Sequence, residues 1–440
     1  MFGTDGIRGV FGQQITCSLA FEVGRALGIK CIKHKGKGII VGRDTRPSGV
    51  ALSMAIISGI LSQGVNVTDA GVATTPAVGF MARQGYNFGV VLTASHNPSE
   101  YNGIKIFNKM GMKLSAKEES DIENVHKNIN RYAYSKEVGK LKNIKTKPYF
   151  EFLASVLEKK KLDLSVCFDC ANGAAGGVVK NVFKDRFKEL FLINVGVNGI
   201  NINKGCGATS VGALRQFVVS KKLDFGFAFD GDADRVVMIN NRGDTIDGDG
   251  ILCILTEYFL SLGGFSGPVV GTVLTNLGLE NYLSLKGIEL FRTPVGDKFI
   301  SEHMFKNKLV LGGEPAGHII LSKFNPTGDG ILCSILLILA AVRQGRHPEK
   351  MLLGYKQIPQ YYLNIKYEPD RSVGNAERLD TAEIVKKYVK KLDKNCRLVV
   401  RKSGTEPVIR VMIEGENKEK IERILCEIEE ELDSMNVPVH

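Results

Sequence analysis

An acidic segment, DGDADR at residues 230–235, could hold a metal ion. Three aspartates alternate directly after an apolar run, so their carboxylates can converge on one hard cation: Asp230, Asp232 and Asp234. Oxygen ligands of this kind favour Mg²⁺. An EF-hand loop begins similarly, but its sixth and twelfth positions are Gly and Glu, where this chain has Arg235 and Asn241. The segment therefore predicts a magnesium site, with an acidic surface turn as the alternative.

A second polar segment, TASHNPSEYNGIKIF at residues 93–107, contains a serine that could carry a phosphate or act as a nucleophile. Ser95 follows an apolar run and precedes His96, but adjacent side chains form a hydrolase dyad only with a backbone distortion that nothing in the sequence announces. No G-x-S-x-G elbow surrounds it either. A role for Ser95 therefore depends on the aspartates, and a plain polar turn is the alternative.

Two further segments combine glycine with groups that bind sugars or phosphates. In GGEPAGH, Glu314 and His318 lie four residues apart and could bind sugar hydroxyls, although the glycines also suit a tight turn. RKSGTEPVIR at residues 401–410 offers hydroxyls, a loop amide and two guanidinium groups, from Ser403, Thr405, Gly404, Arg401 and Arg410. These predict a phosphate cradle, with a solvated hairpin as the alternative. The chain has no Walker sequence, which excludes a P-loop.

Composition limits the class of protein. The 440 residues exceed one usual hydrophobic core and predict two to four domains. The net charge of +11 suits anionic phosphate esters, and no aromatic residues interleave with the lysines as in nucleic-acid-binding proteins. The longest apolar run, residues 331–342, is too short to span a membrane. The N-terminus shows no basic region followed by an apolar stretch and a small-residue cleavage site, so we do not expect export. Nine scattered cysteines, with one isolated C-x-x-C at Cys167 and Cys170, predict reduced thiols in the cytoplasm.

The elements that must position these segments alternate between strand and helix. Apolar strands at 38–44, 65–70 and 88–94, with helices between them, predict a β-α-β-α-β unit and a largely parallel sheet. Ser95, the aspartates and Glu314 each follow a strand, where such sheets place ligands. The last segment, from about 361, predicts an α+β module. We expect four domains: 1–148 with the serine, 149–247 with the aspartates, 248–358 with Glu314, and 359–440 with the phosphate cradle.

Five segments, in this order, resemble the α-D-phosphohexomutase family across the whole chain: FGTDGIRG (2–9), TASHNP (93–98), DGDADR (230–235), GGEPAGH (312–318) and RKSGTEP (401–407). The resemblance implies three α/β domains with mixed, mainly parallel sheets. It also implies a C-terminal α+β domain of TATA-binding-protein-like topology, and a central cleft that all four domains surround. Within the family, NINKGCGAT (201–209) and TNLGLE (275–280) resemble the branch that acts on glucosamine phosphates.

The resemblance also implies a reaction, the isomerisation of glucosamine 6-phosphate to glucosamine 1-phosphate for UDP-N-acetylglucosamine and cell-wall synthesis. It implies a phosphoserine at Ser95, one Mg²⁺ per subunit bound by Ser95 and the three aspartates, and a hexosamine bisphosphate as primer and intermediate. Lys105 and His318 would move protons, and Arg235, Arg8 and His96 would support the seryl phosphate. Ser95 would be activated by a kinase or by autophosphorylation, and a homodimer is left open. Neither nucleic acid nor membrane is an expected partner.

Three alternatives remain at this point. Pro315 and Ala316 stand where that branch usually has Gln-Ser, so mannose or glucose phosphates remain alternative substrates. Alternating aspartates after a strand also suit a phosphatase with Asp230 as an aspartyl-phosphate nucleophile. A basic nucleic-acid-binding protein is the third alternative, and its binding would weaken steeply with salt.

Overall fold

The structure, a computed structural model, describes residues 1–3, 5–32, 36–157, 161–345, 351–352, 354–366, 381–402 and 408–434. These residues form two compact units. The first comprises residues 1–272 and 291–353, and the second comprises residues 273–290 and 354–440, within the described ranges. The predicted domain boundaries after residues 148, 247 and 358 stay predictions.

The first sheet of the first unit carries the serine segment. Its six strands lie in the order β1-β5-β4-β2-β3-β6. They are β1 (Ile7–Val10), β2 (Ile39–Arg43), β3 (Val67–Val72), β4 (Phe88–Leu92), β5 (Tyr101–Asn108) and β6 (Leu141–Asn143). The predicted parallel arrangement of β2, β3 and β4 is confirmed. Strands β5 and β1 extend this sheet in antiparallel pairing, which the sequence patterns did not reveal. The sheet is therefore mixed.

Helices pack against this sheet and share its apolar core with the strands. They are α1 (Cys17–Cys31), α2 (Ser48–Leu61), α3 (Thr75–Ala82) and α4 (Ala116–Lys127). Apolar side chains from α1, α2 and α4 join those of the strands in one buried cluster. Gly59 of α2 marks the close approach of α2 to α1, because a Cβ there would lie 2.1 Å from the carbonyl oxygen of Phe21. This tight packing holds the sheet that carries the serine segment.

The second sheet carries the aspartates, in the order β11-β10-β9-β7-β8. Its strands are β7 (Leu162–Asp169), β8 (Phe187–Ile193), β9 (Phe225–Phe229), β10 (Val236–Asn240) and β11 (Thr245–Ile246). Strands β8, β7 and β9 are parallel, whereas β10 and β11 are antiparallel additions. Its helices are α5 (Lys147–Val156), α6 (Ala175–Phe183) and α7 (Gly212–Lys221). Cys167 and Cys170 are buried free thiols, and burial raises the pKa of Cys167 to about 12.

The third sheet carries the Glu314 segment, in the order β13-β12-β14-β15. Its strands are β12 (Val269–Thr272), β13 (Leu290–Thr293), β14 (Leu311–Gly313) and β15 (Ile319–Leu321), and its helices are α8 (Gly248–Leu262), α10 (Asp297–Asn307) and α11 (Gly330–Arg343). The apolar run at residues 331–342 lies in α11 and is largely buried, as predicted. Among the described residues, no helix has both the length and the apolar character to cross a membrane.

The second unit is a small α+β module, as the sequence predicts for the last segment. Its antiparallel sheet has the order β16-β18-β17. The elements are α9 (Leu277–Leu285), β16 (Gln360–Lys366), α12 (Thr381–Val389), β17 (Arg397–Lys402), β18 (Val408–Glu414) and α13 (Lys418–Ser434). Apolar residues of α12 and α13 cover one face of this sheet and form its core.

A buried aspartate connects the start of α11 to α5. The Asp329 carboxylate accepts hydrogen bonds from the Leu332 backbone amide at 3.0 Å, the Tyr149 hydroxyl at 2.9 Å and the Asn325 amide at 3.0 Å. Burial raises the pKa of Asp329 to about 6, against the opposing effect of these hydrogen bonds. Asp329 therefore caps the helix and satisfies two buried polar side chains at once.

We expect Asp329→Ala to lower the free energy of unfolding by about 2–4 kcal/mol, because it removes a helix cap and leaves buried donors unpaired. The measurement is urea unfolding at pH 8, where the carboxyl group is ionised. Thr16→Ala is the matched control: its hydroxyl caps α1 by accepting only the Leu19 amide, and its loss costs about 1 kcal/mol. Equal losses of unfolding free energy in the two variants would show that the hydrogen bonds from Tyr149 and Asn325 add no stability beyond the helix cap.

Candidate active site

Ser95 lies three residues beyond β4 in a left-handed backbone conformation, with a φ of 52°. Its side chain is buried, and its hydroxyl donates a hydrogen bond to Asp230 Oδ2 at 2.5 Å. Non-glycine residues adopt positive φ uncommonly, and such outliers cluster at functional sites. The fold therefore aims this one hydroxyl at the aspartate segment.

Residues that follow β2 bind the backbone of the serine loop. The Arg46 guanidinium, 1% exposed, pairs with Asp44 at 2.9 Å and donates to four backbone carbonyl groups of the loop, those of Ser95, Asn97, Pro98 and Tyr101. The Thr93 hydroxyl donates to Asp44 at 2.7 Å and accepts from the Ser95 amide at 2.9 Å. Arg46 and Asp44 together act as a buried scaffold for the loop.

The three aspartates converge as predicted. Each offers one carboxylate oxygen within 4.8 Å of the others, and all three side chains are buried. A left-handed residue between them, Ala233 with a φ of 59°, bends the segment sharply. Thr75, at the start of α3, donates from its hydroxyl to Asp232 Oδ2 at 2.5 Å. These contacts set the orientation of Asp232 within the cluster.

The donor set of this cluster fits a hard divalent cation. Asp232 Oδ1 is buried and has no hydrogen-bond partner among the described residues, which is costly for a carboxylate oxygen unless a cation takes the place of a donor. Burial and the neighbouring Asp234 and Asp232 carboxylates raise the pKa of Asp230 well above its usual range. A bound cation would oppose that repulsion. Asp230, Asp232 and Asp234 are thus the residues that could hold Mg²⁺.

Strand β5 brings Lys105 into the same cluster. Its ammonium group lies 2.9 Å from Asp232 Oδ2, 2.7 Å from Asp234 Oδ2 and 3.3 Å from Asp5 Oδ2. Burial alone would lower the pKa of Lys105, but the Asp232 and Asp234 carboxylates raise it well above its usual value. Lys105 is therefore held as a cation.

Asp5 connects the cationic residues on this side of the site. Its carboxylate pairs with Arg8, on β1, and with Lys113. The Lys113 ammonium group also lies 2.7 Å from Asp297, at the start of α10. Burial favours the neutral acid, but Lys105 and Lys113 hold the pKa of Asp5 well below its usual range. Asp5 thus fixes Arg8 and Lys105 relative to each other.

Arg235 contacts Asp230, the partner of the serine, and His96 contacts the serine itself. The Arg235 amide donates to Asp230 Oδ1 at 3.2 Å, and the His96 Nδ1 atom lies 3.4 Å from Ser95 Oγ. Burial and the positive charges of Arg235 and Arg8 lower the pKa of His96 to about 4. His96 is therefore neutral at pH 7.

The predicted sugar-binding residues, Glu314 and His318, follow β14, and His318 contacts one of the three aspartates directly. His318 Nδ1 lies 2.6 Å from Glu314 Oε1, and its Nε2 lies 3.0 Å from Asp234 Oδ1. Burial opposes protonation, but the Asp234 carboxylate outweighs it and raises the pKa of His318 to about 10. His318 is an imidazolium bound between two carboxylates.

In the second unit, the two predicted phosphate-binding arginines face each other across neighbouring strands. Arg401 of β17 is directly opposite Arg410 of β18. Directly opposed residues of antiparallel strands share one face of the sheet, and like charges in this position repel unless an anion lies nearby. Burial and the Arg410 charge lower the pKa of Arg401. The other predicted members of this cradle, Ser403, Gly404 and Thr405, lie outside the described residues.

The sequence patterns did not single out four polar residues that the structure brings to the site: Asp5, Asp44, Arg46 and Thr75. Asp44 and Arg46 could have been found from the sequence, because the segment RDTRPS (43–48) places charged residues directly after the apolar strand β2. That is the same signal that identified the aspartates. Asp5 lies in the segment FGTDGIRG but carried no assigned role, and Thr75 looks like an ordinary residue at a helix start.

Comparison with known families finds one family along the chain. Its models are described as Phosphoglucomutase/phosphomannomutase alpha/beta/alpha domains I, II and III and the C-terminal domain. They match residues 1–133, 147–243, 247–358 and 363–431, respectively. The matched ranges contain the serine segment, the aspartates, the Glu314 segment and the two arginines.

Individual proteins agree with this match. The phosphoglucosamine mutase of Caldicellulosiruptor bescii is 40% identical over 432 residues, covering 96% of each chain. A phosphoglucomutase/phosphomannomutase family protein from Burkholderia thailandensis has a TM-score of 0.83 at 22% identity, covering 100% of this chain and 98% of that one. The N-acetylphosphoglucosamine mutase of Aspergillus fumigatus, solved with GlcNAc-6P and magnesium, has a TM-score of 0.62 at 19% identity, covering 91% and 83%. Both solved structures share the fold.

We expect Gly231→Ala to weaken Mn²⁺ binding about tenfold or more, since the aspartate segment has no room for a side chain there. A Cβ at Gly231 would lie 2.7 Å from both the Ser95 carbonyl oxygen and Ile202 Cδ1. The measurement is Mn²⁺ titration by electron paramagnetic resonance.

Gly177→Ala is the matched control for this variant. Gly177 lies in α6, where a Cβ would meet no atom of the described residues within 4 Å. Its Mn²⁺ binding should equal that of the unmodified protein. Undiminished Mn²⁺ binding by Gly231→Ala would show that the cation does not bind at the aspartates.

Proposed function

The chain belongs to the phosphoglucomutase/phosphomannomutase family, and we propose that it interconverts glucosamine 6-phosphate and glucosamine 1-phosphate through a phosphoserine at Ser95. The observation that carries the proposal is the 2.5 Å hydrogen bond from the Ser95 hydroxyl to Asp230, inside a cluster of three buried carboxylates. Curated relatives at 37–40% identity over nearly the whole chain are phosphoglucosamine mutases, which supports the choice of sugar. The product would supply the synthesis of UDP-N-acetylglucosamine.

Two phosphoryl transfers complete the isomerisation. First, the bond between phosphorus and Ser95 Oγ breaks while a substrate hydroxyl oxygen forms a bond to the same phosphorus, giving a hexosamine bisphosphate. Then the other phosphoryl group of the bisphosphate transfers to Ser95 Oγ and leaves the isomeric monophosphate. In the first step the substrate hydroxyl loses its proton and Ser95 Oγ gains one; in the second step Ser95 Oγ loses its proton and the new sugar hydroxyl gains one. Phosphate is neither gained nor lost overall.

The residues around Ser95 supply the charges that this transfer needs. Asp230, Asp232 and Asp234 would hold one Mg²⁺ per subunit, together with the seryl phosphate. Such an ion would neutralise charge on the transferring group. Arg235 and Arg8 lie close enough to His96, the neighbour of Ser95, to lower its pKa, and they would bind the oxygens of the seryl phosphate. His96, being neutral, can donate one hydrogen bond to the same group without adding charge.

Lys105 and His318 are the candidates for proton transfer. Both are held in the protonated form by the aspartates, so each is ready to give a proton to the sugar oxygen that is losing its phosphoryl group. Glu314 binds His318 through one carboxylate oxygen and could accept a hydrogen bond from a sugar hydroxyl with its other acceptor positions. Because the aspartate carboxylates keep Lys105 and His318 protonated, proton transfer by these two residues depends on the negative charge of the aspartates.

The phosphate that is not being transferred needs its own binding group. Arg401 and Arg410, with Ser403, Gly404 and Thr405, would bind this dianion through guanidinium groups, hydroxyls and an amide. Recognition of the phosphate rather than of one sugar face would let the substrate bind in both orientations. The sheet position of the two arginines supports this role.

The first phosphate on Ser95 requires a donor. We propose a hexosamine bisphosphate primer, with a kinase or autophosphorylation as the other source, and we assign the enzyme to the cytoplasm because its nine cysteines are free thiols. A homodimer is compatible with this reaction but is not required by it.

Ser95→Ala should lower the rate of isomerisation about a thousandfold or more, because the phosphate carrier is removed. The assay follows conversion of glucosamine, glucose and mannose 6-phosphates with magnesium and a bisphosphate primer. Glucosamine 6-phosphate should be converted about ten times faster than the glucose and mannose phosphates, a transition-state preference of about 1.4 kcal/mol. Ser155→Ala, whose hydroxyl donates only to the Phe152 carbonyl group on α5, is the control and should keep full activity.

The other outcomes separate the alternatives. Faster conversion of glucose or mannose phosphate would agree with the mechanism and would indicate Pro315 and Ala316 as the residues that change the sugar specificity. Phosphate found on Asp230 as an acid-labile, hydroxylamine-sensitive bond would establish the phosphatase instead, since a serine ester survives acid. No isomerisation of any of the three sugars would refute the proposed function.

A further inference from the structure

The segment between β8 and α7 contacts the serine loop, although the mechanism above assigns it no role. The Asn203 side-chain amide donates to the carbonyl oxygen of Ser95 at 2.8 Å and to that of Asn97 at 3.0 Å. Its neighbour Ile202 is buried and packs beside Gly231, at the aspartates. Asn203 thus reaches the serine loop from the part of the chain that also carries the metal ligands.

The same two carbonyl oxygens accept from Arg46. The Arg46 Nη2 atom lies 3.0 Å from the Ser95 oxygen and 2.7 Å from the Asn97 oxygen. A carbonyl oxygen has two lone pairs, so both acceptors are fully used. Arg46 is bound to the loop from the β2 side and Asn203 from the β8 side. The peptide that follows Ser95 is therefore held by two independent side chains.

This double contact stabilises a backbone conformation that the chain would not keep by itself. Ser95 has a φ of 52°, a strained conformation for a non-glycine residue that persists only where its surroundings enforce it. Rotation of the peptide after Ser95 would move the serine out of this conformation. Its Oγ would then move away from Asp230 Oδ2.

We propose that Asn203 is a positioning residue for phosphoryl transfer: together with Arg46 it holds the Ser95 carbonyl group and so aims the Ser95 hydroxyl at the aspartates. The proposal rests on the proposed function at Ser95. It predicts that loss of the Asn203 contacts lowers the rate of phosphoryl transfer. Substrate affinity should stay nearly unchanged, because Asn203 acts on the serine loop and not on the substrate.

The backbone of Asn203 selects the variants that test this role. Its φ is 59°, a region that asparagine, aspartate and glycine tolerate best. Asn203→Gly removes both donated hydrogen bonds, and Asn203→Asp also places a carboxylate against two carbonyl oxygens. Both keep the backbone conformation. Asn172 is the matched control: its φ is 52°, and its side-chain amide donates to the Asn201 carbonyl group at 3.2 Å rather than to the serine loop.

The kinetic test compares Asn203→Gly and Asn203→Asp with Asn172→Gly and Asn172→Asp, on the full chain with magnesium, glucose 1,6-bisphosphate and glucosamine 6-phosphate. We expect kcat to fall about tenfold for Asn203→Gly and about a hundredfold for Asn203→Asp. KM should stay within about threefold of its original value, and both control variants should stay within about twofold for both constants. Equal effects at the two positions, or a change confined to KM, would overturn the proposal.

A second readout does not depend on activity. Amide hydrogen exchange of residues 93–101, measured by mass spectrometry, should accelerate in both Asn203 variants and not in the Asn172 variants, because the loop loses its second support. Unchanged exchange in the Asn203 variants would overturn the proposal even if kcat fell. If the unmodified protein isomerises no sugar phosphate, the proposed function fails, and the exchange comparison alone decides whether Asn203 holds the loop.

Discussion

The repulsion among three buried carboxylates is the constraint on which the rest of this structure depends. Asp230, Asp232 and Asp234 hold ligand oxygens within 4.8 Å of one another, away from bulk water. Such a cluster is stable only with positive charge beside it. The fold supplies Lys105 from the first sheet, His318 from the third, and Arg235 from the aspartate segment itself. Each of the three sheets of the first unit therefore contributes to the same charge balance.

This charge balance gives the antiparallel strands their function. If the first sheet were purely parallel, no strand would return beside β4 after Ser95, and Lys105 would not lie near the serine. Because β5 returns next to β4, Lys105 stands opposite Val91 and its ammonium group reaches the aspartates. Strand β1 then pairs with β5 and places Arg8 opposite Gly103, where it meets Asp5. The mixed sheet thus brings anionic and cationic groups to one point.

The sequence predicted the parts of the site that local patterns encode. Apolar strands followed by Ser95, Asp230 and Glu314 were recognisable because ligand-binding groups collect at the carboxyl ends of parallel strands. Long-range contacts were not recognisable in this way: nothing near Asp5 or Thr75 in the chain indicates that they meet Lys105 and Asp232. The antiparallel strands β1 and β5 were missed because polar residues interrupt their alternation. Glu314 and His318 were expected to bind sugar, and the direct contact of His318 with Asp234 is a tertiary property that spacing does not encode.

The left-handed conformation of Ser95 also restricts which amino acid can serve as the phosphate carrier. Threonine offers the same hydroxyl chemistry, but its β-branched side chain is poorly compatible with a φ of 52°. A threonine at this position would strain the loop or turn its hydroxyl away from Asp230. Cysteine would fit the backbone but would replace the oxygen that a hard cation prefers with sulfur. Backbone geometry and metal chemistry, acting separately, leave serine as the residue that satisfies both.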